Sequence, residues 1–368
     1  MAVFRVIGLG KYGVLLFFLV SGYVIPMSLE RHGSLRRFWI GRLFRIYPAY
    51  LLALALLIAC TQSIPAVLRT ETVSSVLGHA TMLSDPLGLR GALRPFWTLS
   101  YEMVFYLVAA GLYAWRLHRH SALTATLLAL TALLAGPHLP DGLLSPGFHS
   151  RRVTAAVLLV AVAGCIIAHL TGRGVRAAGL VGIGFVLLVA VNAHPAPGST
   201  VASSRQGLVL LAVMVAGTVI HRAQHGALST VPTATALIAV TAATGLAAVS
   251  WATTAAVAAT FAAAYALRSR TVPATLRWLG TISYSLYLLH VIVLIVAGRL
   301  VPHLADRPAA TRIAVATAVL AVAIAAAVVS HCLVERPAQA LGRRLAATPR
   351  TQRAAPGTAR EQNERGSV

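Results

Sequence analysis

Eleven apolar segments follow one another along this 368-residue chain and limit its fold more than any other feature. A helix needs about 20 mainly apolar residues to cross the hydrocarbon layer of a membrane. The segments that meet or approach this length are 12–29, 43–60, 97–115, 121–136, 153–170, 176–192, 207–221, 232–249, 251–267, 280–301 and 312–334. Only 11% of the residues are charged, against roughly a quarter in soluble domains. The sequence therefore predicts an all-α polytopic membrane protein, a bundle of ten or eleven transmembrane helices, and excludes an ordinary water-soluble enzyme.

The 31 Lys and Arg residues predict the orientation, because cytoplasmic loops carry an excess of cations. With the loop at 30–42 inside, 20 cations lie inside and 11 outside. This predicts a multi-pass protein of a bacterial plasma membrane, with an outer N-terminus and a cytoplasmic C-terminus. We expect one membrane domain over residues 1–334 and a basic, disordered cytoplasmic tail over 335–368. The net charge of +22 is then explained by loops rather than by nucleic-acid binding.

One carboxylate, Glu102, lies well within an apolar segment. An ionisable side chain at mid-membrane costs about 2.5 to 3.5 kcal/mol on insertion scales, so its presence favours a function. The alternative is a buried pair with an Arg or His of a neighbouring helix, and the two interpretations are compatible. Because the other eight acids fall in loops, in the tail or at segment ends, Glu102 is the leading candidate catalytic residue.

His290 is the second candidate, about ten residues into its segment. A neutral His accepts or donates a proton near neutral pH, which suits acid–base catalysis. The alternative is a hydrogen bond between helices. His169 and His331 lie near predicted cytoplasmic ends and are expected at the interface. Cys60, Cys165 and Cys332 are far apart in sequence, so they predict neither a disulfide nor a metal site.

Arg42 and Arg45 begin the second segment from the predicted cytoplasmic side. Their spacing of three residues places them on one helix face. Two guanidinium groups at a membrane surface can hold phosphates bidentately, or they can anchor the helix against lipid headgroups. In the first segment, Ser21 and Gly22 are small and permit close approach of another helix.

Taken in order, these motifs resemble the acyltransferase 3 family of integral-membrane O-acyltransferases. Residues 13–25 are similar to its Gly-Val-Asp-Leu-Phe-Phe-x-x-Ser-Gly-Phe-x-Ile helix, and 42–50 to its Arg-x-x-Arg-Ile-x-Pro-x-Tyr. Residues 97–107 are similar to its Trp-Ser-Leu-x-x-Glu-x-x-Phe-Tyr-Leu, and 280–290 to its Gly-x-x-Ser-Tyr-Ser-Leu-Tyr-Leu-x-His. Residues 335–337 follow the last segment as the family's Glu-x-Pro does. The resemblance extends from about residue 12 to about 340.

The resemblance implies transfer of an acyl group, often acetyl, from cytoplasmic acyl-coenzyme A to a hydroxyl of a carbohydrate or a glycosylated or lipid-linked acceptor. It implies catalytic roles for Glu102 and His290, binding of acyl-coenzyme A by Arg42 and Arg45, contact with membrane lipids, and no metal. The outer loops at 61–96 and 136–152 are the ones we expect to shape the acceptor entrance.

Two departures from the family pattern keep alternatives open. The family has a helix before its first motif, with an Arg and, about ten residues later, a His; here that helix is expected to be missing. The family's acidic position in the first motif is Leu15. The alternatives are an inactive truncated homologue or partner subunit, and a proton-coupled transporter or flippase, although the hydropathy pattern has no internal repeat typical of transporters.

Overall fold

The computed structural model describes residues 8–61, 71–89, 91–194, 201, 203–248 and 250–347, and this part of the chain contains helices and connecting turns without strands. The α-helices are α1 Leu9–His32, α2 Leu35–Thr61, α3 Thr72–Thr81, α4 Phe96–Ala114, α5 Ser121–Leu130, α6 Phe148–Thr171, α7 Val175–Val191, α8 Ser204–Gln224, α9 Thr230–Ala243, α10 Trp251–Ala266, α11 Ala274–Leu300, α12 Ala309–Ser330 and α13 Arg336–Ala347. Each of the eleven predicted segments falls on one of them. The all-α polytopic fold is therefore confirmed.

Eight helical stretches of the described chain are long and apolar enough to cross a membrane, fewer than the ten or eleven predicted. The other three predicted segments are α4, α7 and α10. Helices α7 and α10 have only 17 and 16 residues. Helix α4 has 19 residues, but Thr98, Ser100 and Glu102 interrupt its apolar sequence. These polar side chains are buried within the bundle.

Glycine ends α1 and α6 at the same end of the bundle. Gly33 and Gly172 have φ of +61° and +72°, and their backbone N–H groups donate to Leu29 O and Ala168 O. Glycine adopts this left-handed conformation at little cost, so the chain can turn directly into the next helix. We call this end, which carries the turns at 33–34 and 172–174 and the arginines that flank them, the basic end.

Helix α8 lies at the centre of the bundle and makes its closest contact with α1. A Cβ on Gly22 would lie 1.6 Å from Met214 O, and a Cβ on Gly217 would lie 2.1 Å from Leu19 O. The Thr218 hydroxyl donates to Gly22 O over 2.8 Å. Small residues thus bring the two backbones together, as is common between membrane helices. The close approach predicted at Gly22 is confirmed.

Helices α4 and α7 approach each other in the same way, which holds the helix that carries Glu102. A Cβ on Gly111 would lie 2.3 Å from Gly179 O, and a Cβ on Gly182 would lie 2.5 Å from Leu107 O. From Thr98 to Gly111 every residue of α4 is buried. This burial fixes the position of α4 relative to its neighbours.

The prediction of disorder from residue 335 is wrong for residues 336–347, which form α13. A π-helical turn, His331–Glu335, joins α12 to α13. Helix α13 packs on α2, where Gly342 contacts Phe44, and Arg36 Nη2 donates to Leu345 O over 3.0 Å. The sequence estimate failed because the segment is short and rich in Arg, whereas its small side chains fit against a helix almost 300 residues earlier. Residues 348–368 lie outside the described residues.

Candidate functional site

Glu102 lies on the buried face of α4, near the middle of the bundle. Its side chain is almost completely buried. One turn later on the same helix, the Tyr106 hydroxyl donates a short hydrogen bond to Glu102 Oε1. A buried carboxylate needs such donors, because burial without a partner costs several kcal/mol. The spacing of four residues brings the two side chains together on one helix face.

The Arg42 guanidinium lies against this pair from α2. Its Cζ atom is 5.5 Å from the centroid of the Phe38 ring and 5.4 Å from that of Tyr106. These distances are typical of cation–π contacts. Because α2 begins at Leu35, Arg42 lies seven residues inside the helix, about 10 Å from its start.

The predicted surface position is therefore wrong for Arg42, which is buried. The sequence placed the start of the apolar segment at residue 43, whereas the helix already includes Arg36 and Arg37. Arg45 is exposed, three residues further along α2. Any role of either arginine in donor binding stays a prediction.

Both arginines interact electrostatically with Glu102. The described residues form three contact ion pairs, and neither Arg42 nor Arg45 takes part in one. The Tyr106 ring contacts both Glu102 and Arg42. The surroundings of Glu102 thus agree with the alternative interpretation, in which it is the buried partner of an Arg on a neighbouring helix.

Helix α11 borders the centre on a third side. The Tyr284 hydroxyl donates to Ile46 O on α2 over 3.0 Å and interacts electrostatically with Glu102. The Tyr287 hydroxyl lies 2.8 Å from Thr98 Oγ1, one turn before Glu102 on α4. Three helices, α2, α4 and α11, therefore meet around the carboxylate through tyrosine hydroxyl groups.

His290 lies on the same helix interface but at a different depth. It follows Tyr284 by six residues, about 9 Å along α11 and away from the basic end. Its Nδ1 atom is 3.1 Å from Leu286 O, and its ring centroid is 6.0 Å from that of Tyr287. The structure therefore does not bring His290 and Glu102 into direct contact; Tyr287 and Thr98 lie between their levels.

Sequence analysis missed a second buried acid, Glu335. It accepts a hydrogen bond from Ser285 on α11. The Ser285 and Ser330 hydroxyl oxygens are 2.7 Å apart, and His331 Nδ1 lies 3.3 Å from Glu335 Oε2. Glu335 is 2% exposed, although the sequence assigned it to the tail. The Glu-Arg-Pro motif was the one signal that could have identified it.

The loops at the opposite end of the bundle are joined by side-chain hydrogen bonds. Asn192 Nδ2 donates to Pro86 O over 2.7 Å and to Ser145 Oγ over 2.9 Å. Ser145 Oγ lies 2.8 Å from His194 Nε2. Burial, with the nearby Arg151 charge, lowers the pKa of His194. These bonds connect parts of the two loops that we expect to shape the acceptor entrance; residues 62–70 and 90 lie outside the described residues.

Asp85 is partly buried and lies in the short 3₁₀ turn Asp85–Leu87. It hydrogen-bonds with Tyr101, the residue before Glu102, although Tyr101 faces a different part of the bundle. Burial raises the pKa of Asp85 to about 7. An acid with such a pKa exchanges its proton near neutral pH.

A polytopic helical bundle with a buried carboxylate, a phenol donor and a nearby guanidinium belongs to the membrane proteins with an ionisable centre, a class that includes both enzymes and transporters. The model of the acyltransferase 3 family, described as an acyltransferase domain, matches residues 1–332. The chain belongs to this family, as its motifs indicate. Membership of this family supports an acyltransferase rather than a transporter.

Two curated relatives share limited regions with the chain. Acyltransferase MdmB of Streptomyces mycarofaciens is 31% identical over 112 residues, 29% of this chain and 29% of the relative. Peptidoglycan O-acetyltransferase OatA of Listeria monocytogenes serovar 1/2a is 32% identical over 117 residues, 27% of this chain and 19% of the relative. The chain therefore matches less than a third of each relative's length. No solved structure matches it. The expectation of a missing first helix stays a prediction.

Proposed function

We propose that the chain is a membrane-bound O-acyltransferase that moves an acyl group, most simply acetyl, from acyl-coenzyme A to a hydroxyl of a carbohydrate or glycosylated acceptor. The observation that carries the proposal is the buried Glu102 with the Tyr106 hydroxyl on Oε1 and the Arg42 guanidinium beside the same ring. The name of the Listeria relative, a peptidoglycan O-acetyltransferase, supports acetyl as the group and a glycan as the acceptor.

In this proposal Glu102 is the general base. Tyr106 holds Oε1, and Oε2 accepts the proton of the acceptor hydroxyl as its oxygen attacks the thioester carbonyl. The new C–O bond forms, the C–S bond breaks, and the departing thiolate of coenzyme A takes up the proton. Arg42 stabilises the negative charge that develops on the carbonyl oxygen and then on sulfur, which is effective because the site is away from bulk water.

The two substrates reach the centre from opposite ends. We propose that the donor enters from the cytoplasmic basic end, where Arg45 is exposed. The acceptor enters from the other end, past His290, which supplies a second acid–base group close to that entrance. The chain then works as a multi-pass protein of the bacterial plasma membrane with its C-terminus in the cytoplasm.

The test is acyl transfer from acetyl-coenzyme A labelled in its acetyl group to glycans in membranes that contain the chain. We expect release of free coenzyme A and equal incorporation of label into alkali-labile esters. A chain that incorporates no label, but whose proton-coupled solute flux stops on Glu102→Gln, is a transporter. A chain that shows neither activity is an inactive homologue. Either of these results overturns the proposal.

A further inference from the structure

A cavity of about 500 Å³ opens at the basic end between the first turn of α2, the α6–α7 turn and the end of α13. Its lining includes Arg36, Arg37 and His169, and none of the described lining residues is acidic. The volume lies within the range of ordinary small-ligand sites, about 300 to 1,000 Å³. We call it the basic-end cavity.

Two helices begin at the basic-end cavity. Ser34 and Leu35, at the start of α2, and Val175, at the start of α7, are among its lining residues. The first backbone N–H groups of a helix have no partner within the helix and carry partial positive charge, so they bind anions. The positive charge of the cavity comes from Arg36 and Arg37, and these two helix ends add backbone N–H donors to it.

Four helix C-termini, those of α1, α4, α6 and α13, also border the cavity, and in each of them at least one of the last carbonyl groups has a hydrogen-bond donor. Ala168 O of α6 accepts the N–H of Gly172. Leu345 O of α13 accepts a hydrogen bond from Arg36. A guanidinium has five N–H donors, so this bond leaves others for a ligand. Arg37, one residue along, is exposed at the cavity.

His169 supplies the observation that points to a ligand. The Trp39 indole N–H donates to His169 Nδ1 over 2.9 Å, so a neutral His169 carries its proton on Nε2. His169 is 3% exposed, and Nε2 forms no hydrogen bond of normal geometry, although it lies near the backbone of Val175. A buried N–H without a full partner is costly. A ligand oxygen in the cavity would satisfy it.

We propose that the basic-end cavity is a phosphate-binding site built by Arg37, Arg36, His169 and the first turns of α2 and α7. The ligand is a phosphorylated group. If the proposed function holds, that group is the nucleotide end of acyl-coenzyme A, and the site rests on the proposed function only for this identification. The same chemistry would also bind an anionic lipid headgroup.

The cavity lies at a suitable place for the donor. Along α2, Arg36 precedes Arg42 by six residues, about 9 Å. An aromatic wall connects the two levels: the His169 ring stacks on Trp39 at 6.2 Å, and Trp39 meets Phe38 edge-on at 5.6 Å. Phe38 then contacts Tyr106 at 6.0 Å. Packed aromatic side chains on one stretch of α2 and its neighbours therefore join the cavity to the surroundings of Glu102.

The test measures binding of labelled adenosine 3′,5′-bisphosphate to the full chain in detergent by equilibrium dialysis. We expect Arg37→Gln to raise the dissociation constant about tenfold, the loss of one charge-assisted hydrogen bond. Arg119→Gln is the matched control, because Arg119 is exposed at the same end but does not line the cavity. Equal affinities in the two variants, or no saturable binding by the natural chain, would overturn the proposal.

Nanodiscs distinguish the two sources of phosphate. If the nucleotide is the ligand, binding is equal in phosphatidylcholine and phosphatidylglycerol discs. If a headgroup occupies the cavity, phosphatidylglycerol in the disc weakens nucleotide binding to the natural chain. The same lipid then has no effect on nucleotide binding to Arg37→Gln. Both results support the phosphate site and identify its ligand.

The site and the proposed function can fail separately. If nucleotide binding depends on Arg37 but the chain transfers no acetyl group, the phosphate site is supported and the proposed function is rejected. Acetyl transfer with an unchanged KM for acetyl-coenzyme A in Arg37→Gln, together with nucleotide binding that does not depend on Arg37, keeps the function and rejects the site. Where both hold, we expect KM to rise about tenfold while kcat is nearly unchanged.

Discussion

The first prediction is an electrostatic coupling between Arg42 on α2 and Glu102 on α4, which both contact Tyr106. At 4 Å and an effective dielectric constant of about 20, two unit charges attract by about 4 kcal/mol. The pair is not in contact, so we expect a coupling of about 2 kcal/mol. Arg42→Gln also removes two cation–π contacts, worth about 1 to 2 kcal/mol together.

The assay is equilibrium unfolding in mixed micelles of a mild detergent and dodecyl sulfate, applied to Arg42→Gln, Glu102→Gln and the double variant. We expect the double variant to lose about 2 kcal/mol less than the sum of the single variants. The same cycle with Arg45→Gln gives a smaller coupling, because its exposed guanidinium is better screened. Additivity of Arg42→Gln and Glu102→Gln within about 0.5 kcal/mol would refute the electrostatic account.

Three further outcomes follow from the contacts. Gly22→Ala lowers the free energy of unfolding by about 3 kcal/mol in the same assay, because the new Cβ would meet Met214 O. Gly13→Ala is the control and is neutral, because the space around Gly13 is open. Equal effects of the two variants would contradict the close packing of α1 on α8. Burial raises the pKa of Asp85 to about 7, so the stability that its protonated form contributes is lost as pH rises from about 4 to about 7. The thermal midpoint of Asp85→Asn should therefore rise relative to that of the natural chain over this interval. A relative rise on acidification instead would contradict the argument. Tyr106→Phe lowers kcat for acetyl transfer roughly tenfold at constant KM, since one hydrogen bond to Glu102 is lost, and an unchanged kcat would remove Tyr106 from the mechanism.

The helices were predictable because hydropathy alone determines which segments can enter a membrane. Each of the eleven segments contains a helix, and Gly22 was recognised as a contact because a residue without a side chain is the simplest way to bring two helices together. The eight stretches that are long and apolar enough by length and composition leave out α4, where polar groups are buried within the bundle. Burial by neighbouring helices hides such groups from lipid, and hydropathy does not report it.

The site was predictable in its residues but not in its geometry. Glu102 was identified because an acid inside an apolar segment is costly, and the structure buries it as expected. Arg42 was placed at the surface because the apolar segment was taken to begin at residue 43, whereas the helix begins at Leu35. Glu335 was assigned to the tail because its burial depends on Ser285, fifty residues earlier on another helix. The depth difference between Glu102 and His290 likewise depends on how α4 and α11 pack, which one sequence does not specify.

The most direct test of the central claim is the turnover number of the purified chain for acetyl transfer, compared between Glu102→Gln and Glu30→Gln. Glu30 is the matched control, an acid of α1 that pairs with Arg222 over 3.2 Å rather than with Tyr106 or Arg42. Loss of a general base lowers a rate typically by a factor of about 10² to 10⁴. We therefore predict that kcat of Glu102→Gln falls at least about a hundredfold while that of Glu30→Gln stays within a few-fold of the natural chain. Natural turnover in a folded Glu102→Gln variant would contradict the account.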